Sequence, residues 1–321
     1  MQSAHGIKGI ILTGDSSLSE SVGWSVGSGL VLPIVNVSMV ERILEGYQIA
    51  GIRETLIASC SDIQEISSLC GNGARWKMTL TYLDSSSKPT TKDIAAFTSD
   101  SPFLATQGAV LLEAKTYLNA VKEYYENRPW AIKVWQDVRN DTDTTESGMS
   151  GVYLLTSNIY NLINEHTKLG VCSYPFDTGL EQLLNRGGVV LRIPLDQQPY
   201  RVQNPESYLD SNKRLLKYAN TETVPEIISD NFSSPNIVLR EHVIVDPTAE
   251  LERSQIGPSV CIGPGVHIGH GATIEHSVIM ADADIGDGAS ISHAIIGKNI
   301  SVENRAVVHG RANRVTVICL N

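Results

Sequence analysis

The sequence predicts an α/β domain with a Rossmann-like, mainly parallel doubly wound sheet, followed by a short left-handed parallel β-helix. Two observations carry this. From Val245 to Val308 an aliphatic residue returns every six or five positions: Val245, Leu251, Ile256, Ile262, Ile268, Ile274, Ile279, Ile285, Ile291, Ile296, Val302, Val308. Small and Gly-rich residues fill the gaps, as in Ile262-Gly263-Pro264-Gly265 and Ile285-Gly286-Asp287-Gly288. A period near six fits neither a helix nor a plain strand, but it fits a solenoid with three short strands per coil, each aliphatic residue stacking on its equivalent one coil later. Twelve register positions at three per coil make about four coils, a short stack that needs a partner surface to bury its ends. The second observation is the alternation of strand-like and helix-like segments upstream.

That alternation begins with Ile7 to Leu12, a buried-type strand, followed by a polar Gly/Ser stretch from Thr13 to Gly29. A strand, loop, helix order of this kind opens many nucleotide-binding α/β domains. The segment Met39 to Ala50 places Ile43, Leu44 and Tyr47 on one helical face, and Gly51 leads into a strand at Glu54 to Ala58, which completes one βαβ unit. Further strands are predicted at Met78 to Leu83, Ala109 to Leu112, Ala131 to Trp135, Gly151 to Leu155 and Val189 to Ile193. Helices are predicted near Thr116 to Glu126, Ser157 to Glu165, Glu181 to Asn185 and residues 207 to 218. Ala219 to Pro235, rich in Thr, Ser, Asn and Asp, reads as a linker, so the expected domains are 1–230 and 231–321.

Composition narrows the function. A chain of 321 residues, 42% hydrophobic, accommodates both bodies. A net charge of -10 without clustered Lys and Arg argues against a nucleic-acid surface. The five cysteines have neither CxxC nor CxxH spacing, which suggests no zinc site or disulfide framework and fits a reducing cytoplasm. No apolar run reaches the roughly 18 residues of a membrane span, and the N-terminus lacks the order of a signal peptide. A cytoplasmic protein with no membrane partner is expected.

Several segments, in order and spacing, resemble the sugar-1-phosphate nucleotidyltransferases, such as the glucose-1-phosphate thymidylyl- and mannose-1-phosphate guanylyltransferases. Leu32-Pro33-Ile34-Val35-Asn36-Val37-Ser38-Met39-Val40 resembles the family's L-P-(V/I)-x-(N/D)-K-P-M-(I/V), and Ala50-Gly51-Ile52-Arg53-Glu54 its A-G-I-(R/K)-(D/E). Cys70-Gly71-Asn72-Gly73-Ala74-Arg75-Trp76 is similar to (L/F)-G-D-G-S-(Q/R)-(W/F), and Gly148 to Tyr153 to A-x-x-G-(I/L)-Y. Asn204-Pro205-Glu206-Ser207-Tyr208-Leu209 is similar to T-P-E-D-Y-L. The resemblance implies attack of a sugar phosphate on the α-phosphorus of a nucleoside triphosphate. That chemistry needs cations around the triphosphate, Mg²⁺ held by carboxylates, and backbone N–H groups facing phosphate oxygens.

At these positions the chain departs from the pattern. The triphosphate loop G-G-x-G-T-R-L is replaced by Thr13-Gly14-Asp15-Ser16-Ser17-Leu18, a degenerate phosphate loop with one glycine, no Arg, and negative charge at Asp15 and Glu20. The phosphate-facing Lys falls on Leu30 or Val31. The first Mg²⁺ carboxylate falls on Ala114, with Glu113 one residue away and expected to point to the other side of a strand. The second falls on Arg201, whose guanidinium either replaces the metal's charge against a phosphate or forms an ordinary ion pair. The metal positions thus read Ala114 and Arg201. Gly151 and Asp177 are the sugar-binding positions the resemblance implies, while by its own context Asp177 reads as the N-cap of the helix after it. Only about 34 residues separate Ala114 from Gly148, fewer than in active relatives.

The expected function is therefore a catalytically impaired family member serving as a regulatory, ligand-binding or scaffold subunit. Its expected partners are further copies of itself, joined through the β-helix, an active paralogous subunit, and a nucleotide or sugar-nucleotide ligand. The alternative is an active transferase with rearranged residues, Glu113 holding Mg²⁺ and Arg201, Lys88 or Lys92 supplying charge. A third reading, a β-helix sugar acyltransferase, rests on the solenoid histidines His242, His267, His270, His276, His293 and His309 as general-base candidates.

Overall fold

Residues 6–12, 29–59, 62–84, 91–135, 149–159, 176–218 and 236–319 are described in the computed structural model. The described chain packs as two units. One is built mainly from residues 39–199, and the other takes in residues 32–38 and 200–321.

The first unit holds a seven-stranded mixed sheet. Its strands are β1 (Lys8–Leu12), β2 (Glu54–Ser59), β3 (Thr79–Asp84), β4 (Phe103–Gln107), β5 (Ala131–Trp135), β6 (Met149–Leu155) and β7 (Val190–Pro194), in the order β7-β5-β6-β4-β1-β2-β3. Only β6 runs antiparallel to its neighbours. Ile10, Ile11 and Leu12 of β1 are all buried, the continuous apolar reading expected of a strand covered on both faces. The helices are α1 (Met39–Ile49), α2 (Ile63–Cys70), α3 (Thr91–Thr98), α4 (Ala114–Asn127) and α5 (Phe176–Asn185). Strand β4 at the centre of the sheet, and helices α2 and α3, are elements the sequence reading lacks. The predicted helix at Ser157 to Glu165 lies largely outside the described residues.

Tyr47 ties α1 to the sheet. Its ring is fully buried, and its hydroxyl meets the carbonyls of Ile10 (3.0 Å) and Leu104 (3.1 Å) and Oγ1 of Thr106 (2.9 Å). Tyr117 of α4 stacks edge-on against it at 5.5 Å. The space for these rings exists because Gly9 and Gly46 lack side chains: a Cβ would lie 2.7 Å from the Tyr47 ring at Gly9 and 2.6 Å from the Tyr117 ring at Gly46.

The second unit is a stack of three parallel sheets with five, five and four strands, consistent with a β-helix. Pairing links Glu250 to His267, His267 to Asp284 and Asp284 to Ser301, a coil of 17 residues. Two steps are longer: Ile256 pairs with Ile274, one residue further on, and Ile295 pairs with Val317, the residues added there including the turn closed by Arg311 and Arg314. Eleven of the twelve register residues form one buried core, with Leu251 packed on it half-buried. Here periodicity translates directly into packing, since each coil presents the same aliphatic step to the one beside it.

Helix α6 (Pro205–Tyr218) belongs to this unit. Asn204 caps it by accepting from the Ser207 N–H at 2.7 Å, while Ser207 Oγ accepts from the Asn204 N–H at 3.0 Å, a reciprocal capping box with Pro205 at the first helical position. In the strand Val260–Ile262, Val260 and Ile262 enter the solenoid core and Cys261 faces outward, yet Cys261 is also buried. The outward-facing Ile244, Val278 and Ile295 are buried too. The buried face of α6, with Tyr208, Asn212 and Leu216, covers this column, as the Cys261 to Asn212 contact shows.

Asn212 joins three chain segments. Its Oδ1 accepts from the Val35 N–H at 2.8 Å and from the Cys261 thiol at 3.5 Å, and its Nδ2 donates to the Tyr208 carbonyl at 3.0 Å. The backbone donor at Val35 fixes which way the amide faces. Val35 and Asn36 form the turn of a small hairpin (Pro33–Ile34 with Val37–Ser38), both with positive φ (51° and 60°). For a β-branched residue this is a strained backbone. Asn212, the Tyr208 hydroxyl bound to Pro33 O (2.7 Å) and Asn36 Nδ2 bound to Ile262 O (2.7 Å) hold it.

Asn212→Ala leaves the buried Val35 N–H and Cys261 thiol without their acceptor. The expected loss is about 1–3 kcal/mol of stability, measured by urea unfolding followed on a solenoid probe; a change within error would show that Asn212 does not hold these segments together.

Candidate functional site

The sheet order places the topological switch point between β1 and β4, because the chain runs from β1 to β2 and β3 on one side and returns to β4 on the other. In open α/β sheets the crevice outside the carboxyl ends of such strands is where ligands bind. Here the ends are drawn together by backbone. The Gly108 N–H, just past β4, donates to Leu12 O at the end of β1 at 2.8 Å. The β5–β6 ladder shifts register between Lys133 and Trp135, and Gly151 lies at this bulge with φ +75°. A Cβ on Gly151 would approach Gln107 O to 2.9 Å. Gly151 therefore permits a close backbone approach at the switch point, where the resemblance implied a sugar-facing position. Thr13, Gly14, Asp15 and Ser16, which follow β1, lie outside the described residues, as does Lys88.

Glu113 corrects one expectation. The strand before it ends at Leu111, and Glu113 is the residue preceding α4, which starts at Ala114. It does not sit on a strand pointing away from the Ala114 position; Ala114, a strong helix former, is already helical. The Glu113 carboxylate meets Lys115 at 2.9 Å, and Lys115 also reaches Asp196 at 3.3 Å. These two carboxylates raise the pKa of the Lys115 ammonium. A second correction concerns Asp177, which lies inside the first turn of α5 and not at its N-cap.

Arg201 belongs to the solenoid unit, whereas Glu113 belongs to the first. The strand Tyr200–Arg201 is bound to α6 through Ser211, whose Oγ accepts from the Arg201 N–H (3.0 Å) and donates to its carbonyl (2.9 Å). The residues at the metal positions do not fit Mg²⁺. Ala114 has no donor atom, Arg201 is a cation, and the Glu113 carboxylate is engaged by an ammonium. Among the described residues no group of three or more His, Cys, Asp or Glu is arranged to hold a metal ion.

The solenoid histidines separate into distinct environments. His267 is half exposed and bonds Asp284 at 2.8 Å with Glu252 at 3.7 Å; the Asp284 hydrogen bond raises its pKa. His309 Nε2 bonds Ser290 Oγ at 2.8 Å. His242, His276 and His293 share a coil corner with φ of 60°, 47° and 49°, a left-handed conformation in which His is one of the better-tolerated side chains. The sequence showed the histidines of the solenoid but not that His276 and His293 face a cleft under α6. That cleft, open to solvent, is lined by Lys213 and Glu206 of α6 and by Cys261, Val278, His276 and His293 of the solenoid.

Fold and sites together define a two-unit protein, a doubly wound α/β body carrying a parallel-strand solenoid. Residues 239–319 match the family model of the GMPPB C-terminal domain, that of mannose-1-phosphate guanylyltransferase beta. The match covers the solenoid and does not extend into the α/β unit. A search of curated proteins finds no match to the chain.

Gly151→Ala is expected to destabilise the first unit, since φ +75° and the Gln107 carbonyl both oppose a side chain; wild-type thermal stability in this variant would refute the close approach. For His267, a raised folded-state pKa means its contribution is fully present below the ordinary value of 6.5 and fades as pH rises through the folded value. An NMR titration should place its midpoint above 6.5, and Asp284→Asn should bring it back down. A midpoint unmoved by that substitution would remove Asp284 as the cause.

Proposed function

We propose that this protein is a member of the sugar-1-phosphate nucleotidyltransferase family, catalytically impaired, that serves as a regulatory, ligand-binding or scaffold subunit. Support for the family comes from a doubly wound sheet, a solenoid of parallel strands that matches the GMPPB C-terminal domain, and the motif order along the chain. On this reading the solenoid is left-handed and joins copies of the chain, or the chain to an active paralogue, in the cytoplasm. The single observation that carries the loss of catalysis is at the start of α4. Where the first metal carboxylate is needed stands a helical alanine, and the neighbouring carboxylate is held by Lys115.

Magnitudes favour impairment over repair. Losing one preorganised charge of the kind that stabilises a transferring phosphoryl group costs on the order of a hundredfold or more in rate. The chain departs at the loop Arg, the Lys and both metal carboxylates, and no single residue restores all four. What persists is positive-φ backbone at Gly108 and Gly151 beside the switch point, and on this reading a ligand binds there without being turned over.

Incubation with each nucleoside triphosphate, Mg²⁺ and a panel of sugar 1-phosphates should release no pyrophosphate above background. Thermal-shift measurements with nucleotides and sugar nucleotides should show stabilisation by at least one of them. Turnover that Glu113→Ala abolishes would replace this reading with an active transferase of rearranged residues.

A further inference from the structure

The cleft under α6 contains two polar groups that no described residue pairs with. His276 Nδ1 is buried and has no hydrogen-bond partner among the described residues. A buried polar nitrogen left unpaired is rare and costs roughly 1–3 kcal/mol, so its persistence calls for a partner beyond the described residues. Lys213, on the exposed side of α6, lines the same cleft and forms no ion pair with any described residue.

The other groups in and beside the cleft are engaged. Glu206 Oε1 accepts from the Val315 N–H at 3.1 Å, and Asp210 pairs with Arg214 at 2.7 Å. Ser292 Oγ donates to Glu275 at 3.1 Å, so it accepts from His293 Nδ1 at 2.9 Å, which puts the His293 proton on Nδ1. The His293 ring lies 4.8 Å from that of His276. Two neighbouring imidazoles and an ammonium resist further positive charge, and burial with His293 and Lys213 nearby lowers the pKa of His276, only Glu275 opposing. A bound anion would relieve all of these at once.

We propose that this cleft binds a small molecule bearing a phosphate, with the phosphate oxygens held by the Lys213 ammonium and the His276 Nδ1–H. A dianion suits the site because it answers both unused donors and the surrounding imidazole. Cys261 and Val278 form a buried apolar floor for the rest of the ligand. The site is built wholly from the solenoid unit and does not rest on the reading of the α/β unit as a degenerate transferase.

The probes are inorganic phosphate and sulfate, titrated into the full chain and followed by calorimetry and by the His276 ring resonances. Saturable binding of both is expected, with the His276 signals moving. Lys213→Met and His276→Asn should each weaken it at least tenfold. Lys213 is exposed and Asn tolerates positive φ, so neither variant threatens the fold. Sulfate stays doubly charged through this range, so pH dependence in its binding reports on the protein. Its affinity should rise as pH falls from about 8 to 6 through the ordinary His range, and that rise should vanish in His276→Asn. Absence of saturable binding, binding unchanged in both variants, or equal affinity for acetate would each overturn the proposal.

Discussion

The solenoid unit depends on the burial of Asn212. A single amide that accepts from a strained turn and from an outward-facing thiol, and donates back into its own helix, connects three segments distant in sequence. Such a group is costly unless satisfied, and once satisfied it permits one arrangement only. Buried Cys261 and Val278 face α6 with apolar surface, and Asn212 supplies the direction. The cleft beside it follows from the same packing. Where α6 passes the corner carrying His276 and His293, contact is incomplete, and polar groups of helix and solenoid face each other across unfilled space.

In the α/β unit the comparable role falls to Tyr47. Its hydroxyl bonds to β1 and β4, the two strands that flank the switch point, so the residue that anchors α1 also holds the crevice edges in register. The glycines at 9 and 46 serve this packing, and those at 108 and 151 serve the edge itself.

Chemistry and architecture diverge in this chain. The architecture of the α/β unit is a doubly wound sheet with its switch point between β1 and β4. At the positions where the resemblance implies metal-binding carboxylates stand Ala114 and Arg201, beside a lysine-paired Glu113. On the proposed reading, the chain binds a ligand without turning it over. A phosphate site in the solenoid would provide a second place for a small molecule to act on the same chain.

The solenoid was legible in the sequence because its core admits one residue class at each step, and a coil of 17 residues converts that requirement into a visible period. Strands β1, β2 and β5 were legible for a related reason, as apolar runs bounded by turns. Strand β4 was not, since Phe103-Leu104-Ala105-Thr106-Gln107 is short and mixes in Ala and Thr that only a central position in the sheet accounts for. The amphipathic pattern of residues 207–218 showed that a helix has a face to bury, yet a period of 3.6 names no partner. Its docking on the outward column, the strained turn at Val35, the lysine that occupies Glu113 and the unpaired nitrogen of His276 were decided by tertiary structure alone. Each depends on residues far apart in the chain, and local pattern records what a segment must bury but not what it meets.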